Sequence, residues 1–394
     1  VTVAAAVAVS VTAGVARADG NPPPGSVPPD QDPFYAAPAD IGSYAPGQIV
    51  ASRPVTPKGI GNAQAWQISY RTNDSHDQAE LAVTTLLVPT KAWNGSGPRP
   101  VVSVQAAEDS TGTQCAPSYG ISSGNGVAAA ENLFFVAPSL GKGWAVALPD
   151  FEGPKSVFMG GLQAAHAVLD GIRAVKSFGT AGVGTANPWA LSGYSGGAEA
   201  TGWAAQLQPS YAPDLHLAGA AIGGIPADPA AVARSMDGGA FSGFEAAATA
   251  SFEAEYPEAG IDQILNATGK TALQQARNKC ITDLLLQFSF KKLASYSTVP
   301  DPLSVPSVAA VLRQNTLGAN APATPVYDYH ADTDEIVPVG QDDTLVKAWC
   351  SAGGSVQKVR DLIGEHAAEA LVRQNDALSF LADRFDGKQA PTTC

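Results

Sequence analysis

The sequence predicts an α/β fold, with a mostly parallel central sheet and a helical cap inserted late in the chain. Three observations carry this expectation. Short apolar, strand-like runs alternate with amphipathic helix-like stretches from about residue 100 to residue 222, the rhythm of crossover-connected parallel strands. From about Asp228 to Asn320 that rhythm breaks, helical segments follow one another without strands, and strand logic resumes at Pro325. The chain has 394 residues, 45% of them hydrophobic and 15% charged, enough to bury a large core and unlike a disordered or coiled-coil protein.

Taken in order, the stretch from Val3 to Val15 is apolar and closes on Ala16-Arg17-Ala18, a small-residue cleavage pattern. Residues 1–18 therefore read as a secretory signal peptide cut after Ala18. The basic segment that usually opens such a peptide is absent, which points to a truncated start or to Val1 as an alternative start codon. The apolar run is too short for a transmembrane anchor, and no later segment reaches spanning length free of charge or proline. Residues 19–45 are proline-rich and polar, an extended arm with little regular structure.

Residues 46–227 are the first part of the sheet domain. Trp66–Arg71 and Leu81–Val88, joined through the polar turn Asn73-Asp74-Ser75, predict a hairpin. Pro100–Gln105 and Trp144–Asp150 predict short buried strands. Leu162–Phe178 places Leu162, Ala165, Val168, Leu169, Ile172 and Val175 at helical spacing. The run Trp189-Ala190-Leu191 predicts another strand, and Leu215–Ile222 the next. Residues 228–320 form the expected cap, with helices near Ala246–Tyr256 and Thr271–Leu293. Residues 321–394 return to the sheet domain with strands at Pro325–His330 and Ser355–Leu362 and a helix from Ala367 to Phe385. No internal repeat is visible.

The formal net charge of −13 and the absence of any basic run argue against nucleic acid, whose binding needs clustered Lys and Arg. Cys115, Cys280, Cys350 and Cys394 lie at wide, unequal spacings that match no zinc pattern, so neither a metal nor another cofactor is expected. An even cysteine count in an exported protein favours disulfides, and three pairings are open.

Gly193-Tyr194-Ser195-Gly196-Gly197 follows the predicted strand at Trp189 and precedes the small-residue stretch Ala198–Ala205. This is the grammar of a nucleophile elbow, a strained strand-to-helix turn that exposes a serine hydroxyl, with glycines where side chains would collide. The pattern G-x-S-x-G arises by chance roughly 0.3 times in so Gly- and Ser-rich a sequence, so context must decide. Gly120-Ile121-Ser122-Ser123-Gly124 also matches, but it follows Cys115-Ala116-Pro117-Ser118-Tyr119 and reads as a loop.

A serine needs a base, and the base an orienting acid. Of five histidines, His76 lies in a polar turn, His166 in an amphipathic helix, and His216 and His330 in strand-like runs. His366, in the turn Gly364-Glu365-His366 between a strand and a helix, is the first candidate, with His330 its main rival. Asp328, Asp332 and Asp334 cluster after one strand. Asp334 stands just past the strand end, where it can meet a base from the next loop, whereas the other two read as structural or solvated carboxylates. The order Ser195, Asp334, His366 is that of nucleophile-elbow hydrolases. An oxyanion needs preplaced donors. The N–H of Gly196 is one, and the loop Gln105–Ser110 leaves its strand at the point where a second is expected, although Glu108 and Asp109 read equally well as a polar loop.

Together, Glu108-Asp109-Ser110, Cys115-Ala116-Pro117-Ser118, the D-x-E-G-P of Asp150–Pro154, the H-A-V-L-D-G-I-R of His166–Arg173, the G-Y-S-G-G segment, D-E-I-V-P from Asp334 and Glu365-His366 resemble the secretory lipase family of α/β-hydrolases across nearly all of the mature protein. The resemblance implies an α/β-hydrolase fold, a triad of Ser195, Asp334 and His366, and an oxyanion hole from Asp109 and Gly196. It implies disulfides pairing Cys115 with Cys280 and Cys350 with Cys394. It further implies a cap bordering an acyl tunnel, which Gly238–Phe244 lines or merely packs beside. The expectation is a secreted, monomeric serine carboxylester hydrolase acting on lipid or other ester substrates at a lipid–water interface. The alternatives are a short-chain esterase and a non-catalytic binding protein on a degenerate fold.

Overall fold

The structure, a computed structural model, describes residues 27–124 and 126–394. The signal segment, its cleavage site and the start of the arm lie outside the described residues. The chain forms an α/β-hydrolase fold around one mixed sheet. Its strands are β1 (Ile49–Val55), β2 (Ala63–Asn73), β3 (Ala79–Pro89), β4 (Val101–Gln105), β5 (Ala145–Pro149), β6 (Trp189–Tyr194), β7 (Leu217–Gly223), β8 (Val326–Ala331) and β9 (Val356–Asp361), in spatial order β1-β2-β3-β5-β4-β6-β7-β8-β9. The pairs β1–β2, β2–β3 and β3–β5 are antiparallel, and every pair from β5–β4 to β8–β9 is parallel.

Helices α1 (Pro117–Ser123) and α2 (Gly126–Gly141) connect β4 to β5, α3 (Gly161–Phe178) connects β5 to β6, and α4 (Gly196–Tyr211) connects β6 to β7. Between β7 and β8 lies the helical insertion: α5 (Pro229–Met236), α6 (Gly243–Glu255), α7 (Ile261–Ile264), α8 (Ala267–Ala276), α9 (Ile281–Phe288), α10 (Leu293–Tyr296) and α11 (Pro306–Gln314). Helix α12 (Val339–Ser351) precedes β9 and α13 (His366–Phe385) follows it.

Strands β4, β5 and β8 are buried along their whole length, because helices cover both faces, as a parallel sheet requires. Val168, Trp203 and Trp349, from α3, α4 and α12, pack on one face. Ile121, Val136, Leu378 and Leu381, from α1, α2 and α13, pack on the other. The insertion has its own apolar core, in which Phe252, Tyr256, Leu284 and Phe288 meet Phe158 and Met159 from the loop after β5. Disulfides join Cys115 to Cys280 and Cys350 to Cys394.

Four local expectations change. Strand β1 escapes the periodicity because it is an edge strand carrying Pro54, tolerated there since one N–H row faces outward. The second G-x-S-x-G match is not a loop. It ends α1, with Pro117 in the first turn and Gly124 in the left-handed conformation (φ 75°) that closes helices. The stretch Thr271–Leu293 is not one helix, since the helical path breaks between Ala276 and Ile281, where Asn278 has φ 58° and Cys280 is tied to Cys115. The described part of the proline-rich arm folds into three short 3-10 turns rather than remaining irregular.

Candidate active site

Ser195 stands between β6 and α4 with φ 55° and ψ −127°, a strained conformation for a non-glycine residue that functional turns store. The turn is possible because its neighbours lack side chains. A Cβ on Gly197 would lie 2.0 Å from the Gln105 carbonyl oxygen, and one on Gly193 would lie 2.1 Å from the Gly197 oxygen. Gly196 has a reason that the pentapeptide does not announce: its Cβ would come 1.9 Å from Asp109 Oδ1. The Ser195 N–H donates to the Gly223 oxygen on β7 (2.9 Å), anchoring the elbow to the sheet.

The Ser195 hydroxyl lies 2.8 Å from His366 Nε2, and His366 Nδ1 lies 2.6 Å from Asp334 Oδ2. His366 is not in a turn but is the first residue of α13. Its backbone N–H, one of the unpaired donors at a helix start, is capped by Glu335 Oε2 at 3.0 Å. Its carbonyl accepts from the Tyr194 hydroxyl at 2.5 Å, so the elbow tyrosine fixes the helix that carries the imidazole. Thr333 Oγ1 bridges the Gly364 N–H and carbonyl (3.0 and 2.6 Å), tying the acid loop to the histidine loop. Asp334 Oδ1 accepts from the N–H groups of Ile336 (2.9 Å) and Val337 (2.7 Å). Burial would raise this carboxyl, but the hydrogen bonds from His330 and His366 outweigh it and hold Asp334 well below the usual carboxylate range.

The rival residues sit elsewhere. The His330 ring is buried within β8, facing Asp342 and the Val337 carbonyl rather than Ser195. Asp328 pairs with Arg360 at 2.5 Å, and Asp332 is exposed. His166 is buried with Nδ1 3.2 Å from the Asp74 carbonyl, and His76 faces Glu258 on the surface. In the same helix Asp170 accepts from Thr72, Arg173 and Tyr211, so the H-A-V-L-D-G-I-R segment braces α3 against β2 and α4.

Asp109 follows β4 with φ 47° and is buried beside the elbow, and its Oδ1 has no hydrogen-bond partner. Burial pushes its carboxyl up to about 7, against the pull of His366. Glu108, Asp150, Glu152 and Glu199 are buried nearby, all raised by burial. Asp150 accepts the Ser118 N–H and hydroxyl at 2.8 and 2.5 Å, so the D-x-E-G-P and C-A-P-S segments meet here. The loop after β4 is stitched to the insertion: the Thr111 N–H donates to the Lys279 oxygen (2.9 Å), the Ile281 N–H donates to Ser110 Oγ (3.2 Å), and the Cys115–Cys280 bridge follows. Sequence reading missed Glu335, Glu152 and Glu199, because their roles depend on burial and on partners distant in the chain.

A cleft of about 480 Å³ opens on Ser195, Gly196 and Asp109 and is walled by Phe158, Met236, Phe244 and Val337. Of the Gly238–Phe244 segment, Phe244 borders this cleft while Phe241 packs against a cluster of Val232, Met236 and Val337. A larger apolar cavity of about 740 Å³ lies within the insertion, and Glu245 lines both. Among the described residues, one cluster has metal-ligand geometry, that of Asp74, His76 and Glu255. The Lys155 ammonium already sits 2.9 Å from Glu255 Oε2 and 3.8 Å from Asp74 Oδ2. No helix of the described residues is long and apolar enough to cross a membrane.

A family model described as secretory lipase matches residues 121–393. A secreted triacylglycerol lipase of Malassezia furfur is 34% identical over 93% of this chain and 78% of its own length. A Mycobacterium tuberculosis protein described as a probable inactive lipase is 32% identical over 91% of this chain and 83% of its own. The crystal structure of Candida antarctica lipase A in its closed state superposes with a TM-score of 0.88 at 33% identity, covering 94% of this chain and 89% of that one.

Proposed function

The chain belongs to the secretory lipase family, and from that premise we propose that it is a secreted serine hydrolase of fatty-acid esters, triacylglycerol among them. Family membership alone does not carry this reading, since one relative is described as probably inactive. The observation that carries it is the continuous relay from Ser195 Oγ through His366 to Asp334, at 2.8 and 2.6 Å.

Ser195 attacks the ester carbonyl while His366 takes its proton. Asp334 fixes the imidazole with Nδ1 protonated and stabilises the imidazolium that forms. The Gly196 N–H and Asp109 stabilise the oxyanion, each donor on the order of 3 kcal/mol. His366 returns the proton to the leaving alcohol, and water then releases the acid by the same steps. Two export disulfides and the family of secretory enzymes support an extracellular site of action.

A lipid substrate is favoured over short soluble esters by the apolar wall of the cleft and by Leu362 and Ile363, 79% and 90% exposed in the loop just before His366. Large apolar side chains held in water beside a site suit a lipid surface. The larger apolar cavity lies within the insertion and not at Ser195, which favours the short-chain esterase as second reading. Ser195→Ala should abolish turnover of a chromogenic fatty ester while leaving the folded circular-dichroism spectrum unchanged, and retained turnover would overturn the nucleophile. Rates on short esters below and above their solubility limit, and on emulsified triacylglycerol, separate the two substrate readings. A protein that turns over no ester and fails to react with a fluorophosphonate is a binding protein instead.

A further inference from the structure

A second histidine is built into the relay. His330 is wholly buried in β8, and its two ring nitrogens face only acceptors. Nδ1 lies 2.8 Å from Asp342 Oδ2, while Nε2 lies 3.0 Å from the Val337 carbonyl and 3.2 Å from Asp334 Oδ2. A neutral imidazole can donate from one nitrogen only. The same Asp342 oxygen accepts from Arg360 Nη2 at 3.0 Å, so the groups that meet it there are donors. Asp334 Oδ2 is therefore shared by two imidazoles, His366 on the side of Ser195 and His330 on the side of the core.

We infer that His330 is a positioning residue, a doubly protonated imidazolium whose charge offsets Asp334 and so keeps His366 free to act as a base at more acid pH. The inference rests on the reading of His366 as the base. Without His330, the Asp334 carboxylate would face His366 alone and favour its charged form. The surroundings agree with a charged ring. Facing it are Asp334 from the loop after β8, Asp342 from α12, Asp328 from β8 itself, Arg360 from β9, and Glu369 and His366 from α13. Burial would discharge His330, but the bonds to Asp334 and Asp342 outweigh it and push the ring up to about 10. Burial and Asp342 raise the Asp328 carboxyl well above its usual range, against the pull of Arg360. His330 thus stands between Asp342 and Asp334, and Arg360 between Asp328 and Asp342. His366 itself is faced by Asp334, Ser195 and Asp109, and by the Tyr194 ring at 5.1 Å.

The test is the pH dependence of kcat/KM for His330→Gln, which keeps hydrogen-bonding capacity without charge. The acid limb is expected to move up by on the order of one pH unit, with about tenfold loss at the acid end and a plateau within about threefold of the parent. A folded variant with an unmoved acid limb, or with uniform loss at every pH, would overturn the inference and leave His330 a packing residue. If that variant does not fold, ring-¹⁵N histidine spectra of the parent protein decide. One imidazole carrying two protons through pH 8 is expected, and five rings that are neutral there would refute it. Because those spectra need no turnover, they separate failure of this inference from failure of the esterase reading.

Discussion

The carboxyl of Glu199 confers a stability on the fold that should fall as pH rises. Glu199 lies in the first turn of α4, four residues after Ser195, 2% exposed and with Oε1 unpartnered. Burial, with the Asp109 carboxyl adding to it, pushes Glu199 up to about 8 from its ordinary 4.5. The folded state therefore keeps a proton that the unfolded state releases. Its contribution is full below pH 4.5, declines as pH rises, and is gone above about 8. At about 1.4 kcal/mol per pH unit the limit is about 5 kcal/mol. Water entry and local relaxation on ionisation reduce that to about 2–3 kcal/mol.

Glu199→Gln keeps the shape and removes the ionisation. At pH 5 the variant should match or fall slightly below the parent, because the amide brings a new donor to satisfy. At pH 9 the difference should have moved in the variant's favour by about 2–3 kcal/mol. Urea unfolding followed by tryptophan fluorescence at pH 5, 7 and 9 measures it, with the midpoint and slope fitted separately. A difference between variant and parent that is the same at pH 5 and pH 9 would refute the reasoning, since Glu199 would then be ionised, or solvated, throughout.

Three other outcomes follow from the same geometry. Asp109, pushed up to about 7 by burial, becomes an anion beside the proposed oxyanion site above that pH, so kcat/KM should fall on the alkaline side. Asp109→Asn, whose side chain tolerates the left-handed φ, should flatten that fall in a pH–rate profile. Gly197→Ala sets a methyl 2.0 Å from the Gln105 carbonyl and should cost about 3 kcal/mol and most of the activity. Gly61→Ala, whose Cβ meets nothing within 4 Å, should change neither in the same urea titration. Replacing Cys115 and Cys280 by serine opens a separation of 165 residues, an entropic loss of up to about 5 kcal/mol, and removes the covalent tie between the loop after β4 and the insertion, leaving only its hydrogen bonds. Stability and kcat/KM should both drop, whereas replacing Cys350 and Cys394 should lower stability alone, as denaturation and steady-state kinetics would report.

The sheet is legible in the sequence because its parallel strands are short apolar runs and its helices keep a 3.6-residue period; β1 is not, since an exposed edge strand with Pro54 shows neither signal. The proposed triad of Ser195, Asp334 and His366 can be picked out because each residue lies within a few positions of a strand's C-terminal end, a placement that the strand pattern and chain order reveal. The loop expectation for residues 120–124 fails because Pro117 and Gly124, which read as breakers, are here the two ends of a helix. His330 lies in a strand, and that excludes it as the partner of Ser195. It says nothing of a role behind Asp334, which depends on α12 and β9 packing against β8. Gly196 is the same kind of case: its lack of a side chain answers to Asp109, 87 positions earlier in the numbering, and no local pattern contains that contact.

The two sides of the Ser195 cleft are electrostatically unlike, and the difference bears on when the site can work. Behind Asp334 the buried carboxylates are met by His330 and Arg360. Beneath the elbow Glu108, Asp109, Glu152 and Glu199 pair with no lysine or arginine among the described residues, and burial raises each of them, Asp109 against the pull of His366. A buried acid without a counter-charge stays neutral by holding its proton. Neutral acids leave room for the negative charge that an ester carbonyl develops at Gly196, while their ionised forms would oppose it. On the proposed reading the base side relies on His330 and Arg360, and the oxyanion side on acids that burial keeps protonated. Both are then expected to favour neutral and acid pH, through two sets of residues that share no strand, helix or loop with each other.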